Sequence, residues 1–515
     1  MAIDKNTATI GFEKKIWEAA CVLRGHMTAS DYQKVVLGLI FLKYINDQFD
    51  KKYKELVDEG DGFENDSDEY VSEGIFYVPQ EARWDAIAAQ ATTPNIGITI
   101  DNAMTAIEKD NEEMLKGILP KIYASPDLDK RRLGEVVLLF TNLELHEEDG
   151  SRDLLGRTYE YCLQQFAAEQ GQRGGEFYTP SCVVRTIVEI LQPYKGRVYA
   201  PCCGAGGMFV QSLKFLEAHH GNRNEFTVFG QEANPETWKL AKMNLAIRGI
   251  HAQLGKHADD TFFNDLHPSM RADFIMANPP FNLSNWGASK LGEDPRFCYG
   301  LPPEGNANFA WLQHMIFHLA PEGRLAMVMA NGAVSSCSGG EDKIRKAIVD
   351  DDLVEGIVAM PDKLFYSVSI PVTIWVLNRK KSQKGKILFV DARNMGEMID
   401  RKHRELTDSA MPQWADKKDE ECDIQKIAKT FDLFREGKLE DEKGFCAVKD
   451  IADMDEQCIL TPGRYVGIAD EEEDAEPFEE KMQRLTSELG DLFAESHQLE
   501  ASIREKLAGI GFKVK

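Results

Sequence analysis

The chain has no long uninterrupted apolar run, and its opening residues 1–15 lack the apolar core of a secretory signal. A membrane-spanning helix needs about 20 consecutive apolar residues. Ten cysteines are scattered through the 515 residues without a repeated CxxC pair, so we expect neither a disulfide framework nor a metal site. These absences predict a cytoplasmic protein without a membrane segment.

Basic residues are also scarce. The chain has 60 Lys and Arg against 85 Asp and Glu, which gives a formal net charge of -25. Nucleic-acid phosphates repel such a chain unless its basic residues are concentrated on one face or a basic partner makes most of the nucleic-acid contacts. We favour a basic partner, for reasons that come from the two ends of the chain. A GxxxxGK[ST] phosphate loop is missing too, which argues against a helicase motor.

The hydrophobic pattern divides the chain into four parts, where its length alone suggests about three domains. Residues 1–165 show helical spacing, and strands alternate with helices over residues 166–400. Residues 401–470 are mixed and charged, and residues 471–515 contain a long amphipathic helix at 478–507. Alternating strands and helices predict an α/β fold with a doubly wound, mostly parallel sheet. An all-helical domain precedes this sheet, and the long helix ends the chain.

Strands are predicted in six segments, of which the first three are followed by chemically informative turns. The six segments are residues 198–199, 227–230, 274–276, 324–329, 354–358 and 372–377.

The most informative turn is Asn278-Pro279-Pro280-Phe281, which closes the apolar run 273–277. The prolines end the strand because they lack a backbone donor, and ligands of open α/β sheets bind at that edge. The Asn278 amide oxygen and the Pro279 carbonyl can together accept both hydrogens of a planar amine. Phe281 offers a flat face for a base. A plain surface turn is the alternative that four residues alone leave open.

A glycine-rich turn, Gly204-Ala205-Gly206-Gly207, follows the first predicted strand and opens a helix. Its glycines allow a tight turn and a close approach to a ligand. Glu232 ends the next strand, near where an acid binds ribose hydroxyls in nucleotide-binding units. The alternatives are an ordinary strand-to-helix turn and a solvated loop acid.

Two further turns have both a binding and a purely structural interpretation. In Asp259-Asp260-Thr261, one acid either accepts from an adenine amine or caps its own turn. In residues 176–181, Thr179 or Ser181 caps the following helix, with Pro180 near its first position. In the functional interpretation, this aromatic turn folds over a cofactor.

Taken in this order, the segments resemble S-adenosylmethionine-dependent N6-adenine DNA methyltransferases, and specifically the modification (M) subunit of type I restriction-modification systems. The resemblance covers nearly the whole chain, including residues 12–44, 305–311 and 460–466. It implies a Rossmann-like methyltransferase sheet and a catalytic tetrapeptide made of Asn278, Pro279, Pro280 and Phe281. The implied cofactor-binding residues are Glu176, Phe177, Tyr178, Thr179, Pro180, Ser181, Cys203, Gly204, Ala205, Gly206, Gly207, Met208, Glu232, Asp260 and Thr261.

The resemblance also implies a reaction and a set of partners. The methyl group passes from S-adenosylmethionine to the exocyclic amine of an adenine flipped out of double-stranded DNA, with no protein nucleophile. A separate specificity (S) subunit reads the DNA and binds two M subunits, and a motor-nuclease (R) subunit joins for restriction. The helix 478–507 would dock on the S subunit, although packing within the chain is the alternative.

One departure from the family pattern stands at Ala200, where an Asp is usual. That carboxylate is expected to pair with the ammonium group of the cofactor, a contact worth roughly 1.5–3 kcal/mol. Weakened cofactor binding is therefore predicted. Two rival functions remain: a glutamine methyltransferase of release factors, which also uses an Asn-Pro-Pro-aromatic turn, and a non-catalytic assembly scaffold.

Overall fold

The computed structural model describes most of the chain in two separate compact units, Met1–Gly467 and Ile468–Lys515. The described residues are 16–141 without 19, 22, 25 and 26, then 151–170, 178–365, 371–411, 414–468 and 478–509. Within these ranges, no helix has both the length and the hydropathy that a membrane span requires.

The front part of the first unit is helical. Its longest helix begins where the Thr28 side chain accepts a hydrogen bond from the Asp31 amide, and it ends at Gly60, whose φ is +75°. The helices are α1 Ala29–Glu59, α2 Ser67–Val71, α3 Trp84–Ala88, α4 Ile96–Asp110, α5 Glu112–Leu115, α6 Lys130–Thr141 and α7 Ser151–Gln170. Helix α7 runs through residue 165, where the sequence pattern suggested a boundary. The four domain ranges stay a prediction.

A nine-stranded sheet follows, in the order β11-β8-β6-β7-β5-β4-β1-β2-β3. Strand β7 runs antiparallel to both of its neighbours and β11 antiparallel to β8, while the remaining pairs are parallel. The strands are β1 Gly196–Ala200, β2 Phe226–Gly230, β3 Ala252–Gln253, β4 Ala272–Ala277, β5 Leu319–Ala330, β6 Val354–Ala359, β7 Val372–Asn378, β8 Lys386–Asp391 and β11 Cys446–Asp450. The short pair β9 Glu397–Met398 and β10 Arg404–Glu405 lies outside this sheet.

Helices connect the strands. They are α8 Ser181–Leu191, α9 Gly207–Ala218, α10 Pro235–Ile247, α11 Asn308–His318, α12 Glu341–Asp350 and α13 Asp423–Arg435. The central strands β6 and β7 are buried along their whole length, as expected for a sheet covered on both faces. Residues 446–450 of the charged segment 401–470 form the edge strand β11, which the sequence pattern did not indicate.

The strand order reverses around β1, and this determines where the site lies. The chain leaves β1 towards β2 on one side, whereas β4 pairs with β1 on the other side. Ligands of doubly wound sheets bind at such a switch point, beyond the carboxyl ends of the strands. The glycine-rich turn after β1 and the Asn-Pro-Pro-Phe turn after β4 therefore become neighbours.

The second unit contains helix α14, Phe478–Gly509. Its described apolar side chains are exposed and recur mostly three or four residues apart. They are Met482, Leu485, Leu489, Leu492, Phe493, Leu499 and Ile503. The helical front part, the α/β sheet and this long helix confirm the predicted architecture.

Candidate functional site

Asn278 stands directly after β4, and the two atoms of its amide differ in their hydrogen bonding. Its Nδ2 donates to the Thr179 hydroxyl at 3.0 Å. Its Oδ1 is buried and has no hydrogen-bond partner among the described residues. A buried acceptor left unpaired costs about 1–3 kcal/mol, so this oxygen is a candidate for accepting a hydrogen bond from a ligand.

Thr179 does not cap the following helix, which corrects one prediction. Pro180 occupies the N-cap position, no side chain caps the helix, and Ser181 is the first helical residue. The carbonyl of Pro180 accepts from the amides of Val183 and Val184 instead. The Thr179 hydroxyl is thereby left to accept the Asn278 bond, which crosses 99 residues of sequence.

The glycine-rich turn takes the conformation that its composition predicts. Gly204 has a φ of +55° and Gly206 a φ of +82°, values that favour glycine. A Cβ added at Gly207 would meet nothing within 4 Å, so open space lies over the backbone there. The turn is held by the segment that follows β2, because Glu232 Oε2 accepts from the Gly204 amide at 3.0 Å.

Glu232 is not a freely solvated acid, since its Oε1 also accepts from the Asn234 amide at 2.9 Å. Asp260 caps its own turn by accepting from the amides of Phe262 and Phe263 at 2.8 and 3.3 Å. The buried Thr261 hydroxyl donates to the Pro201 carbonyl at 2.6 Å. Asp260 thus caps its own turn and also lines a cavity, so its binding role stays a prediction.

Two cavities open at this edge of the sheet and share Cys202 and Asn278. We call the first the glycine-loop cavity; the space between its walls, open solvent included, is about 630 Å³. The site residues predicted from the sequence that line this cavity are Tyr178, Thr179, Ser181, Cys203, Gly204, Ala205, Gly207 and Met208. We call the second the Asn-Pro cavity; the space between its walls, open solvent included, is about 1070 Å³. The site residues predicted from the sequence that line this second cavity are Glu232, Asp260, Thr261, Asn278 and Pro280.

The other predicted residues lie in varied surroundings. Pro279 is buried, and Pro280 is exposed. Phe281 is half-buried with its ring edge-on to Phe365, the centroids 5.9 Å apart, and it is absent from both cavity walls. A Cβ added at Gly206 would lie 3.3 Å from the Leu245 side chain, so there is little room beside this glycine. Glu176 and Phe177 fall outside the described residues.

The two cysteines beside the turn are weak nucleophiles. Burial raises the pKa of the Cys202 thiol and of the Cys203 thiol well above the usual range, and the Glu232 carboxylate adds to both effects. A thiol with a raised pKa supplies little thiolate at neutral pH. The site is therefore poorly equipped for covalent catalysis through sulfur.

One group of metal-ligating residue types also comes together within the described ranges: Asp265, His314 and His318. The Arg296 guanidinium donates to His314 Nδ1 at 3.1 Å, so the hydrogen of a neutral His314 stands on Nε2, facing the Tyr199 hydroxyl at 3.0 Å. Both nitrogens of His318 are engaged as well. The Arg296 guanidinium lies beside these groups, and the His318 ring has no free lone pair. Both observations favour a hydrogen-bond network over a cation site.

The sequence interpretation missed several cavity residues. Glu160 and Leu163 of α7, Gln211 of α9 and Asn244 of α10 line the glycine-loop cavity. Trp311 lines the Asn-Pro cavity, and its buried Nε1 has no hydrogen-bond partner among the described residues. The spacing of 160 and 163 did mark one helical face, but nothing in the sequence linked that face to a turn 40 residues later.

Comparison with known proteins identifies the family. The model of the N-6 DNA Methylase family matches residues 150–474, and the model of the HsdM N-terminal domain matches residues 12–140. A type I restriction enzyme HindI methylase subunit of Haemophilus influenzae is 45% identical over 85% of this chain and 100% of its own length. The MjaIX methylase subunit of Methanocaldococcus jannaschii is 38% identical over 97% of this chain and 92% of its own length.

A solved structure shares the fold. It is a type I restriction-modification methyltransferase subunit from Streptococcus thermophilus, with a TM-score of 0.74 and 24% identity. The alignment covers 89% of this chain and 99% of that one. The family match over most of the sequence, the close relatives and the site at the switch point agree. The chain belongs to the N-6 DNA methylase family of adenine-specific DNA methyltransferases, as a methylase subunit of a type I restriction enzyme.

Proposed function

We propose that Asn278 and the Pro279 carbonyl hold the exocyclic amine of an adenine that has left the stack of double-stranded DNA. The observation that carries the proposal is the buried Asn278 Oδ1, an acceptor without a partner among the described residues at the junction of two cavities. An adenine amine offers the two donors that these oxygens accept. The hydrogen bond from Asn278 Nδ2 to Thr179 fixes the Asn278 amide group, so that its oxygen Oδ1 is directed away from Thr179.

We further propose that S-adenosylmethionine occupies both cavities, with its adenosine end in the Asn-Pro cavity. Glu232 on that wall suits ribose hydroxyls. Asp260 offers an acceptor for the adenine amine, and the unpaired Trp311 Nε1 offers a donor for a ring nitrogen. The amino-acid end then falls to the glycine-loop cavity, whose wall includes Tyr178. Glu176 and Phe177 stay proposed cofactor-binding residues on the resemblance alone.

The chain's own part in catalysis is positioning. When bound, the cofactor supplies a methyl group on a positively charged sulfur, which the amine nitrogen can take directly. Asn278 and Pro279 orient the nitrogen lone pair, and such alignment supplies much of the rate enhancement in displacement reactions. Phe281 remains the proposed stacking residue for the base, as the aromatic side chain that follows the two prolines.

We propose that a specificity subunit contributes most of the DNA contact, because this chain is acidic, with a net charge of -25. Helix α14 is the proposed dock. Its exposed apolar face needs a partner, and an apolar stripe of this spacing matches helices that pack together. Two copies of the chain per specificity subunit, and a motor-nuclease subunit that joins for restriction, complete the proposed assembly.

A methylation assay tests the enzymatic proposal. The full chain is incubated with methyl-labelled cofactor and duplex DNA, with and without its cognate specificity subunit, and digested DNA is analysed for N6-methyladenine. We expect label in adenine only when both subunits are present. Label in a protein glutamine would support the rival methyltransferase, and no transfer by a complete assembly would support the scaffold.

Paired substitutions on α14 test the dock. Leu489→Glu with Phe493→Glu places two charges on the apolar face and should abolish co-purification with the specificity subunit. Ser487→Glu adds a charge to the opposite face and should leave assembly intact. Undiminished co-purification of the double variant, or of a chain without residues 471–515, would contradict this role.

A further inference from the structure

The only charge on the wall of the glycine-loop cavity, among the described residues that line it, belongs to a helix outside the sheet. It is Glu160 of α7; the other lining residues are apolar or neutral polar groups. Leu163, one helical turn further on, lines the same cavity. Residues three apart share a helix face, so α7 presents this face to the cavity.

Glu160 is firmly held. Its Oε1 accepts from Gln211 Nε2 at 3.0 Å, and its Oε2 faces Lys214 Nζ at 3.3 Å and an Arg248 nitrogen at 3.2 Å. Arg248 also donates to the Gly156 carbonyl on α7 at 2.6 Å. These bonds fix the carboxylate between α7, α9 and the end of α10.

The same partners keep Glu160 ionised. Burial alone would raise the pKa of this carboxyl, but Lys214, Arg248 and Gln211 outweigh burial and lower the pKa to about 2. Lys214 and Arg248 are absent from the cavity wall, whereas Glu160 is on it. Glu160 is therefore the one ionised group among the described residues on this wall, although Lys214 and Arg248 pair with it from outside the wall.

Ala200, where the family pattern has an Asp, is fully buried at the end of β1. The sheet edge therefore lacks the carboxylate expected to pair with the cofactor's ammonium group. We infer that Glu160 binds that ammonium group and so replaces the missing acid at position 200. This inference rests on the proposed placement of the amino-acid end of the cofactor in the glycine-loop cavity.

Two ligands separate binding from structural support. S-adenosylhomocysteine carries the amino-acid end, whereas 5′-methylthioadenosine has the adenosine end without it. For Glu160→Gln in the full chain, calorimetry should show affinity for S-adenosylhomocysteine falling about 10- to 100-fold, the range expected for a charge-assisted contact. Affinity for 5′-methylthioadenosine should stay within about twofold. Glu160→Asp keeps the charge and should lose less.

Glu355→Gln is the matched control. Glu355 is a buried glutamate held by Arg435 and Asn378, both at 2.8 Å, and it is not on the cavity wall. This variant should leave both affinities unchanged. Thermal unfolding of each variant without ligand gives its structural cost independently.

Three results would overturn the inference. The first is an equal loss of affinity for both ligands in Glu160→Gln, and the second is no loss of affinity for either ligand. The third is a Glu160→Gln variant too unstable to bind 5′-methylthioadenosine, together with a Glu160→Asp variant that binds as weakly as Glu160→Gln. Failure of the proposed function is separate, because the unmodified chain would then bind neither ligand.

Discussion

Asn278→Ala should separate stability from activity. The substitution removes an unpaired buried acceptor, which costs the folded protein about 1–3 kcal/mol, and it also removes the bond to Thr179, worth about 0.5–1.5 kcal/mol. The difference predicts an unfolding free energy between about 0.5 kcal/mol lower and about 2.5 kcal/mol higher than that of the unmodified chain. Methyl transfer should fall by about 100-fold or more, the typical loss when one preorganised polar group is removed from an active site.

Asn111→Ala is the matched control. Asn111 is also buried, but its amide is fully used: it accepts from the Tyr77 amide and donates to the carbonyls of Tyr77 and Ile107 at 2.8–3.0 Å. Loss of these three bonds should destabilise the chain by about 3 kcal/mol. Activity under native conditions should persist.

Urea unfolding of the isolated chains and N6-methyladenine formation by the reconstituted assemblies measure the two effects. Our reasoning would be refuted if Asn278→Ala destabilised the chain as much as Asn111→Ala does. Methyl transfer at the unmodified rate would refute it equally, because the orphaned oxygen would then have no part in holding the amine.

Three further predictions concern the same edge of the sheet. Thr179→Val removes the partner of Asn278 Nδ2; kcat should fall about tenfold with little change in the KM for DNA, and an equal rise in KM would contradict a positioning role. Ala200→Asp should tighten S-adenosylmethionine binding about tenfold, and by more in a Glu160→Gln background, with Ala200→Asn as the uncharged control; calorimetry showing no tightening in either background would contradict it. Burial would raise the pKa of Asp265, but chiefly His318 lowers it from 3.8 to about 2. The ionised Asp265 therefore stabilises the folded chain fully above pH 3.8. This contribution of about 2 kcal/mol to the unfolding free energy is lost as the pH falls towards 2. Asp265→Asn should remove this part of the pH dependence of the unfolding free energy measured in urea. An unchanged pH dependence would exclude the pair of Asp265 and His318 as its source.

Much of the site follows from short segments of sequence. The strand ends could be predicted because β1, β2 and β4 are apolar runs stopped by glycine, polar residues or proline. Gly204 and Gly206 adopt the positive φ values that a tight turn requires, which composition alone indicated. Edge strand β11 escaped prediction, because its residues are partly charged and its partners in β8 lie 56 residues or more away in sequence.

The least predictable features join distant segments. Thr179 or Ser181 was expected to cap a helix, a local role, but neither does, and Thr179 instead bonds to a residue 99 positions later. Glu160 meets Arg248 across 88 residues. Local spacing carries no information on such pairs, because they depend on the sheet order and on how α7 packs against it.

By itself, the sequence determined the elements, the turns that end them and the chemistry that each turn offers, since these depend on neighbouring residues along the chain. Only the tertiary structure decided which of these groups meet. The reversal of strand order at β1 brought the glycine-rich turn beside Asn278, and packing left the Asn278 amide oxygen without a partner among the described residues. It also placed a carboxylate from α7 on the cavity wall. Burial and pairing are properties of the packed chain, so they arise only once the sheet has formed.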